Sequence, residues 1–114
     1  MKMRKITEIT VDALSEGKTK KLWNSEVCWW LACWDYYLHD NLIAMYNPDK
    51  NELWISDAGR RTNTTKERLN GILKKWNLWR IFQKNWQWIF YDAEGRHERT
   101  GQRQFEGVKK FFSM

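Results

Sequence analysis

The chain has 114 residues, 42% hydrophobic and 30% charged, with nine Trp and a formal net charge of +6. That length suits one domain with one core, and no stretch approaches the roughly 18 apolar residues of a membrane span. No apolar run follows the basic start at Lys2, Arg4 and Lys5, so a secretory signal is not expected, and two cysteines are too few for a disulfide framework, which points to a cytoplasmic chain with reduced thiols.

In chain order, residues 10–17 read as a short N-terminal helix. Thr10 is its candidate N-cap, Val11 and Leu14 form its apolar face, and Gly17 is the left-handed residue that ends it. Lys18 to Lys21 is a basic connector. Val27 to Trp34 is almost continuously apolar and aromatic, which favours a strand with a buried helix as the alternative, and Tyr36-Tyr37-Leu38 begins a second strand or bridges to it. Asp40-Asn41 reads as a tight turn before a strand over 42–46. The loop around Pro48, the only proline, separates that strand from another over 53–56. Thr64-Thr65-Lys66-Glu67 matches a capping box, and Leu69, Ile72, Leu73 and Trp76 then fall on one stripe of an amphipathic helix over about 64–76.

Past that helix the period changes to two. Trp79, Ile81 and Gln83 alternate with Arg80, Phe82 and Lys84. After a break near Asn85, Trp86, Trp88 and Phe90 alternate with Gln87, Ile89 and Tyr91, a β-hairpin pattern. The expected fold is α+β: an antiparallel sheet of about five strands with the 64–76 helix on one face and a short N-terminal helix. Residues 1–92 form the domain. Residues 93–114 read as a basic polar loop or tail, in which Phe105, Val108, Phe111 and Phe112 offer surface to tie the end back or to meet a partner.

No set of residues favours catalysis. Cys28, Cys33, His39 and His97 lack the paired short spacings of a zinc site, and on one strand the two cysteines would point to opposite faces. Ser25, Ser56 and Ser113 have no Gly-x-Ser-x-Gly setting. Pro48-Asp49 is not followed by the acidic-x-Lys triplet of a metal nuclease, and no phosphate-binding Gly-rich loop occurs. A non-enzymatic protein without cofactor or metal is expected.

The stretches Leu38-His39-Asp40-Asn41-Leu42-Ile43-Ala44, Ala58-Gly59-Arg60-Arg61-Thr62-Asn63-Thr64-Thr65-Lys66-Glu67-Arg68-Leu69-Asn70 and Gln83-Lys84-Asn85-Trp86-Gln87-Trp88 resemble a recurring group of small proteins of tailed bacteriophages, as does Thr10-Val11-Asp12-Ala13-Leu14. Arg60 stands where the group tends to have Trp, and Asp40 replaces a turn Gly. The resemblance implies a phage or prophage origin, hence a host cytoplasm, and brings no activity with it.

Function is expected from charge and aromatics together. Residues 1–57 hold seven Lys/Arg and nine Asp/Glu, whereas residues 58–114 hold thirteen and five. Such asymmetry suits a polyanionic partner. Arg60, Arg61, Lys66, Arg68, Lys74, Lys75, Arg80 and Lys84 interleave with Trp79, Trp86 and Trp88, so cations would hold phosphates while exposed rings stack bases. The alternative is a protein-binding inhibitor of a host factor such as a defence nuclease, of the anti-CRISPR or anti-restriction type, with exposed Trp, Tyr and Arg as anchors. Either partner, nucleic acid or host protein, is expected to meet a monomer or a homodimer.

Overall fold

The computed structural model describes residues 4–78, 80–84, 87–91, 103–104 and 108–112. Expectations placed on Trp79, Asn85, Trp86 and most of the 93–107 stretch lie outside those residues. The elements run α1 (Lys5–Glu16), β1 (Lys20–Leu22), β2 (Ser25–Trp30), β3 (Cys33–Leu38), β4 (Asn41–Asn47), β5 (Glu52–Ser56), α2 (Asn63–Lys75), β6 (Arg80–Lys84), β7 (Gln87–Tyr91), β8 (Arg103–Gln104) and β9 (Val108–Phe112). The α+β class is as expected. The strands divide between a six-stranded sheet, ordered β1-β2-β3-β4-β5-β9, and a three-stranded one, β6-β7-β8. Every pairing is antiparallel.

α1 starts at Lys5, five residues before the expected cap. Thr10 lies mid-helix, where its hydroxyl donates to the Ile6 carbonyl at 2.7 Å and meets the Tyr36 hydroxyl at 2.6 Å. The buried residues are Thr7, Thr10, Val11, Ala13 and Leu14. Two of these five are threonine, so the helical period is hidden from a hydropathy pattern. Gly17 does end the helix, at φ 71, and the Lys18 amide closes onto the Ala13 carbonyl at 2.9 Å, a left-handed C-terminal cap. A Cβ at Gly17 would also stand 3.1 Å from the Trp34 indole nitrogen.

The run 27–34 is two strands, not one. The chain reverses at Leu31 and Ala32, with φ 47 and 71, and six cross-strand pairs from Ser25↔Leu38 to Trp30↔Cys33 close the hairpin. A left-handed residue other than Gly costs roughly 1–2 kcal/mol, which pairing along both strands offsets. The reversal also corrects the cysteines: Cys28 and Cys33 occupy the same face of the sheet, and both are free thiols.

α2 packs Leu69, Ile72 and Leu73 into a core with Val11, Leu14, Val27, Tyr36, Ile43, Leu53 and Ile55. Trp76 is only partly buried and meets Tyr46 edge-on, with ring centroids 5.0 Å apart. The predicted capping box is displaced. Thr62 caps the helix, its hydroxyl accepting from the Thr65 amide at 3.1 Å, while Glu67 turns away to Thr7 and Arg68. Thr62→Ala should therefore cost about 0.5–2 kcal/mol, and Thr64→Ala should stay within about 0.5 kcal/mol of the parent. Chemical denaturation of both variants checks the assignment; the reverse ranking would contradict it.

β6 and β7 form the expected hairpin pair, but in a separate sheet held to α2. The Asn70 carboxamide donates to the Ile81 carbonyl at 2.9 Å and accepts from the Ile81 amide at 2.7 Å. β9 pairs with β5 over Glu52↔Phe112 to Ser56↔Val108. No helix among the described residues is long and apolar enough to cross a membrane.

Candidate nucleic-acid interface

The segment leading into α2 is shaped by Asp57. Its carboxylate accepts from the Gly59 amide at 2.8 Å and from the Arg61 Nε at 3.0 Å, while its carbonyl accepts from the Arg60 amide at 2.8 Å. This clamp leaves Arg60 and Arg61 exposed just before the helix. From there the Arg61 guanidinium lies 5.7 Å from the centre of a Trp88 ring. Lys66, one turn into α2, reaches Gln83 of β6 at 3.3 Å. On the opposite face of the same strand, Arg80 lies 4.7 Å from the centre of the Phe82 ring, which is 42% exposed. Lys66 and the Arg61–Trp88 contact thus lie on one face of the β6–β7 pair, and Arg80 with Phe82 on the other.

The other candidates go elsewhere. Lys74 and Lys75 lie at the far end of α2, about 12 Å along its axis from Lys66, and Lys75 pairs with Asp12 of α1 at 2.9 Å. Trp88 is only 1% exposed and belongs to the core, so its ring has no open face for a base. The side chain of Lys84 lies outside the described residues, as do Trp79 and Trp86 entirely.

Arg68 is the largest departure. It is fully buried, so no phosphate can reach it. Its guanidinium bonds the Glu67 carboxylate, donates to the Thr7 hydroxyl at 2.8 Å and the Ser25 hydroxyl at 3.2 Å, and reaches the Asn24 carboxamide oxygen at 3.4 Å. The residue thus ties α2, α1 and the start of β2 together. Ser25 also donates to the Asn24 oxygen at 3.0 Å, which aims the Asn24 amide nitrogen at His39 Nε2, 3.4 Å away. Nearby, burial pushes the Tyr36 phenol up from its ordinary value.

Other exposed aromatics are in the acidic half of the sequence. Trp23 is 80%, Trp30 64% and Trp29 49% exposed, and the aliphatic Leu31 beside them is 78% exposed. Trp23, at φ 53, borders a shallow cavity of about 310 Å³ shared with Lys21, Asn24, Tyr37 and His39. Among the described residues no group of His, Cys, Asp and Glu is arranged to hold a metal ion.

A family model for the Kyanoviridae Gp96 protein matches residues 3–111. The chain belongs to that family. The match covers both helices and runs into β9, so this Gp96-family chain is a phage protein over nearly its whole length. No curated protein and no solved structure matches it.

Sequence reading missed two features of this Gp96-family surface. Phe82 had a signal, since the alternation that buries Ile81 turns Phe82 outward. The burial of Arg68 had only a faint one, an Arg beside Glu67 bordering the Leu69 stripe.

Proposed function

We propose that this phage protein is a non-enzymatic accessory factor that binds nucleic acid, in the cytoplasm of the host cell, through the β6–β7 pair and the start of α2. The stack of Arg80 on the exposed Phe82 ring carries the reading. A half-exposed ring with a cation on it offers a base both stacking and cation–π contact. Arg61 and Lys66, on the other face of the pair, and Arg60 at the entry to α2 supply cations for the backbone phosphates of a strand that passes around its edge.

Titration of labelled single-stranded oligonucleotides against salt tests this. Engagement of three or four phosphates gives a log–log slope of about −2 to −3, at roughly −0.7 per contact. Arg80→Glu should weaken binding and flatten the slope. Phe82→Ala should cost about 1–3 kcal/mol with the slope little changed, because stacking releases no counterions. Affinity weaker than about 100 μM at physiological salt, the weak end of ordinary non-specific binding, sinks the reading.

The second reading, inhibition of a host protein such as a defence nuclease, is favoured by the exposed Trp30 and Leu31 at the β2–β3 reversal and by Trp23. Exposed Trp is a common anchor of protein interfaces. A host partner that stays bound after nuclease treatment, joined with absent oligonucleotide binding, would select it.

A further inference from the structure

Helices α1 and α2 cover the inner face of the main sheet, through contacts such as Thr10 with Tyr36 and Arg68 with Ser25. On the outer face, among the described residues, no helix supplies a second layer. Register places Glu26, Cys28 and Trp30 of β2, Cys33, Asp35 and Tyr37 of β3, and Met45 of β4 on that outer face. Asp35 is at its centre, directly opposite Cys28 on one side and Met45 on the other. It is only 4% exposed. Among the described residues its Oδ1 has no hydrogen-bond partner, and Oδ2 accepts only from the Tyr37 hydroxyl at a long 3.5 Å. A buried carboxylate in that condition is costly, and such a group is compensated when a cation and donors are brought to it. Residues 25–47, which make up β2, β3, β4 and their turns, contain no Lys or Arg, and among the described residues no ion pair reaches Asp35.

We propose that Asp35 and the side chains around it form a recognition site for an arginine presented by a protein partner. Asp35 is 4% exposed, so the site opens only when the side chains over it move aside, and the two nearly unspent carboxylate oxygens then match the two parallel N–H donors of a guanidinium. Arginine is also the less strongly hydrated cation and lays its plane against aromatic rings. Trp30, largely exposed on the same face, and half-buried Tyr37 supply such rings. Leu31 at the adjoining turn gives apolar surface for the residues that flank the arginine. This site uses none of the residues assigned to nucleic acid and stands independently of that reading.

The test titrates N-acetyl-arginine amide into the isotopically labelled full chain, with the citrulline analogue as a neutral isostere. Saturable shifts should centre on Cys28, Trp30, Tyr37 and Met45. Citrulline should bind about tenfold more weakly, because charge-assisted pairs are roughly twice as strong as neutral ones. Asp35→Asn should melt at a higher temperature than the parent yet lose the arginine response, a combination that a purely structural role would not produce. Met45→Lys, which supplies an internal cation directly across from Asp35, should block the site as well. Both variants should keep the parent's salt slope with oligonucleotides. Equal responses to arginine and citrulline, arginine binding retained in both variants, or a lower melting temperature for Asp35→Asn would each overturn the proposal.

Discussion

Arg68→Ala should destabilise the protein by about 3–5 kcal/mol, the range for removing one partner of a buried charge pair. The guanidinium is fully buried, and its loss leaves the Thr7, Ser25 and Asn24 oxygens without their shared donor. Glu67, with its side chain 25% exposed, retains access to water. Glu67→Gln should therefore cost less than Arg68→Ala, since a neutral amide oxygen can still accept from the guanidinium. Urea denaturation ranks the two. A loss below about 0.5 kcal/mol for Arg68→Ala, the level of ordinary surface sites, would mean that Arg68 is not the residue joining α1, α2 and β2.

Trp88→Ala should cost about 3–5 kcal/mol, as truncation of a buried aromatic does. With total stability of about 5–15 kcal/mol in ordinary domains, that loss alone brings the chain close to unfolding. The ring is 1% exposed, shares a core with Leu69 and Ile72, and lies under the Arg61 guanidinium. Phe82→Ala, one strand away, should leave stability within about 0.5 kcal/mol of the parent because the ring is already at the surface. Thermal melts of the pair separate a core aromatic from a binding one. A stable Trp88→Ala protein that fails only in oligonucleotide binding would return Trp88 to the interface.

Carboxyl chemistry adds a pH dependence. Burial raises the Asp35 carboxyl above its ordinary value, with the Tyr37 hydroxyl opposing the rise. The folded state then holds its proton more tightly than the unfolded chain does. The stability this gives is fully present below the unfolded carboxylate range and is lost as pH rises through the folded value. Cys28 and Glu26 from β2 and Cys33 and Tyr37 from β3 share the face. Asp35→Asn should remove this component of the stability profile across the acid range, and an unaltered profile would assign it to another group.

What the sequence made legible follows from how strongly each pattern is tied to one geometry. Leu69, Ile72 and Leu73 at helical spacing, and the alternation across 80–91, admit a single reading each, and both elements stand where they were placed. The cap did not, because Thr62, Asn63, Thr64 and Thr65 are all competent caps, and the Asp57–Arg61 contact that shapes the entry to the helix begins six residues before its first residue. The 27–34 run resisted because Leu31 and Ala32 carry no turn chemistry; only tertiary pairing forces them into positive φ. Composition counted Arg68 with the surface cations and Trp88 with the exposed rings, since charge and aromatic content carry no information on depth. Asp35 was not singled out in the sequence at all, because its neighbours Trp34 and Tyr36 point to the other face of β3 and carry no sign of its burial.

The central claim is that the basic half binds through the β6–β7 pair and the start of α2. The most direct measurement is a backbone amide map of the labelled protein titrated with a short single-stranded oligonucleotide at low salt. Shifts should concentrate on Arg60, Arg61, Lys66, Arg80 and Phe82, leave Trp23, Trp30 and Leu31 unmoved, and disappear as salt is raised. Shifts that centre instead on Trp23, Trp30 and Leu31, or the absence of any saturable change, would contradict it.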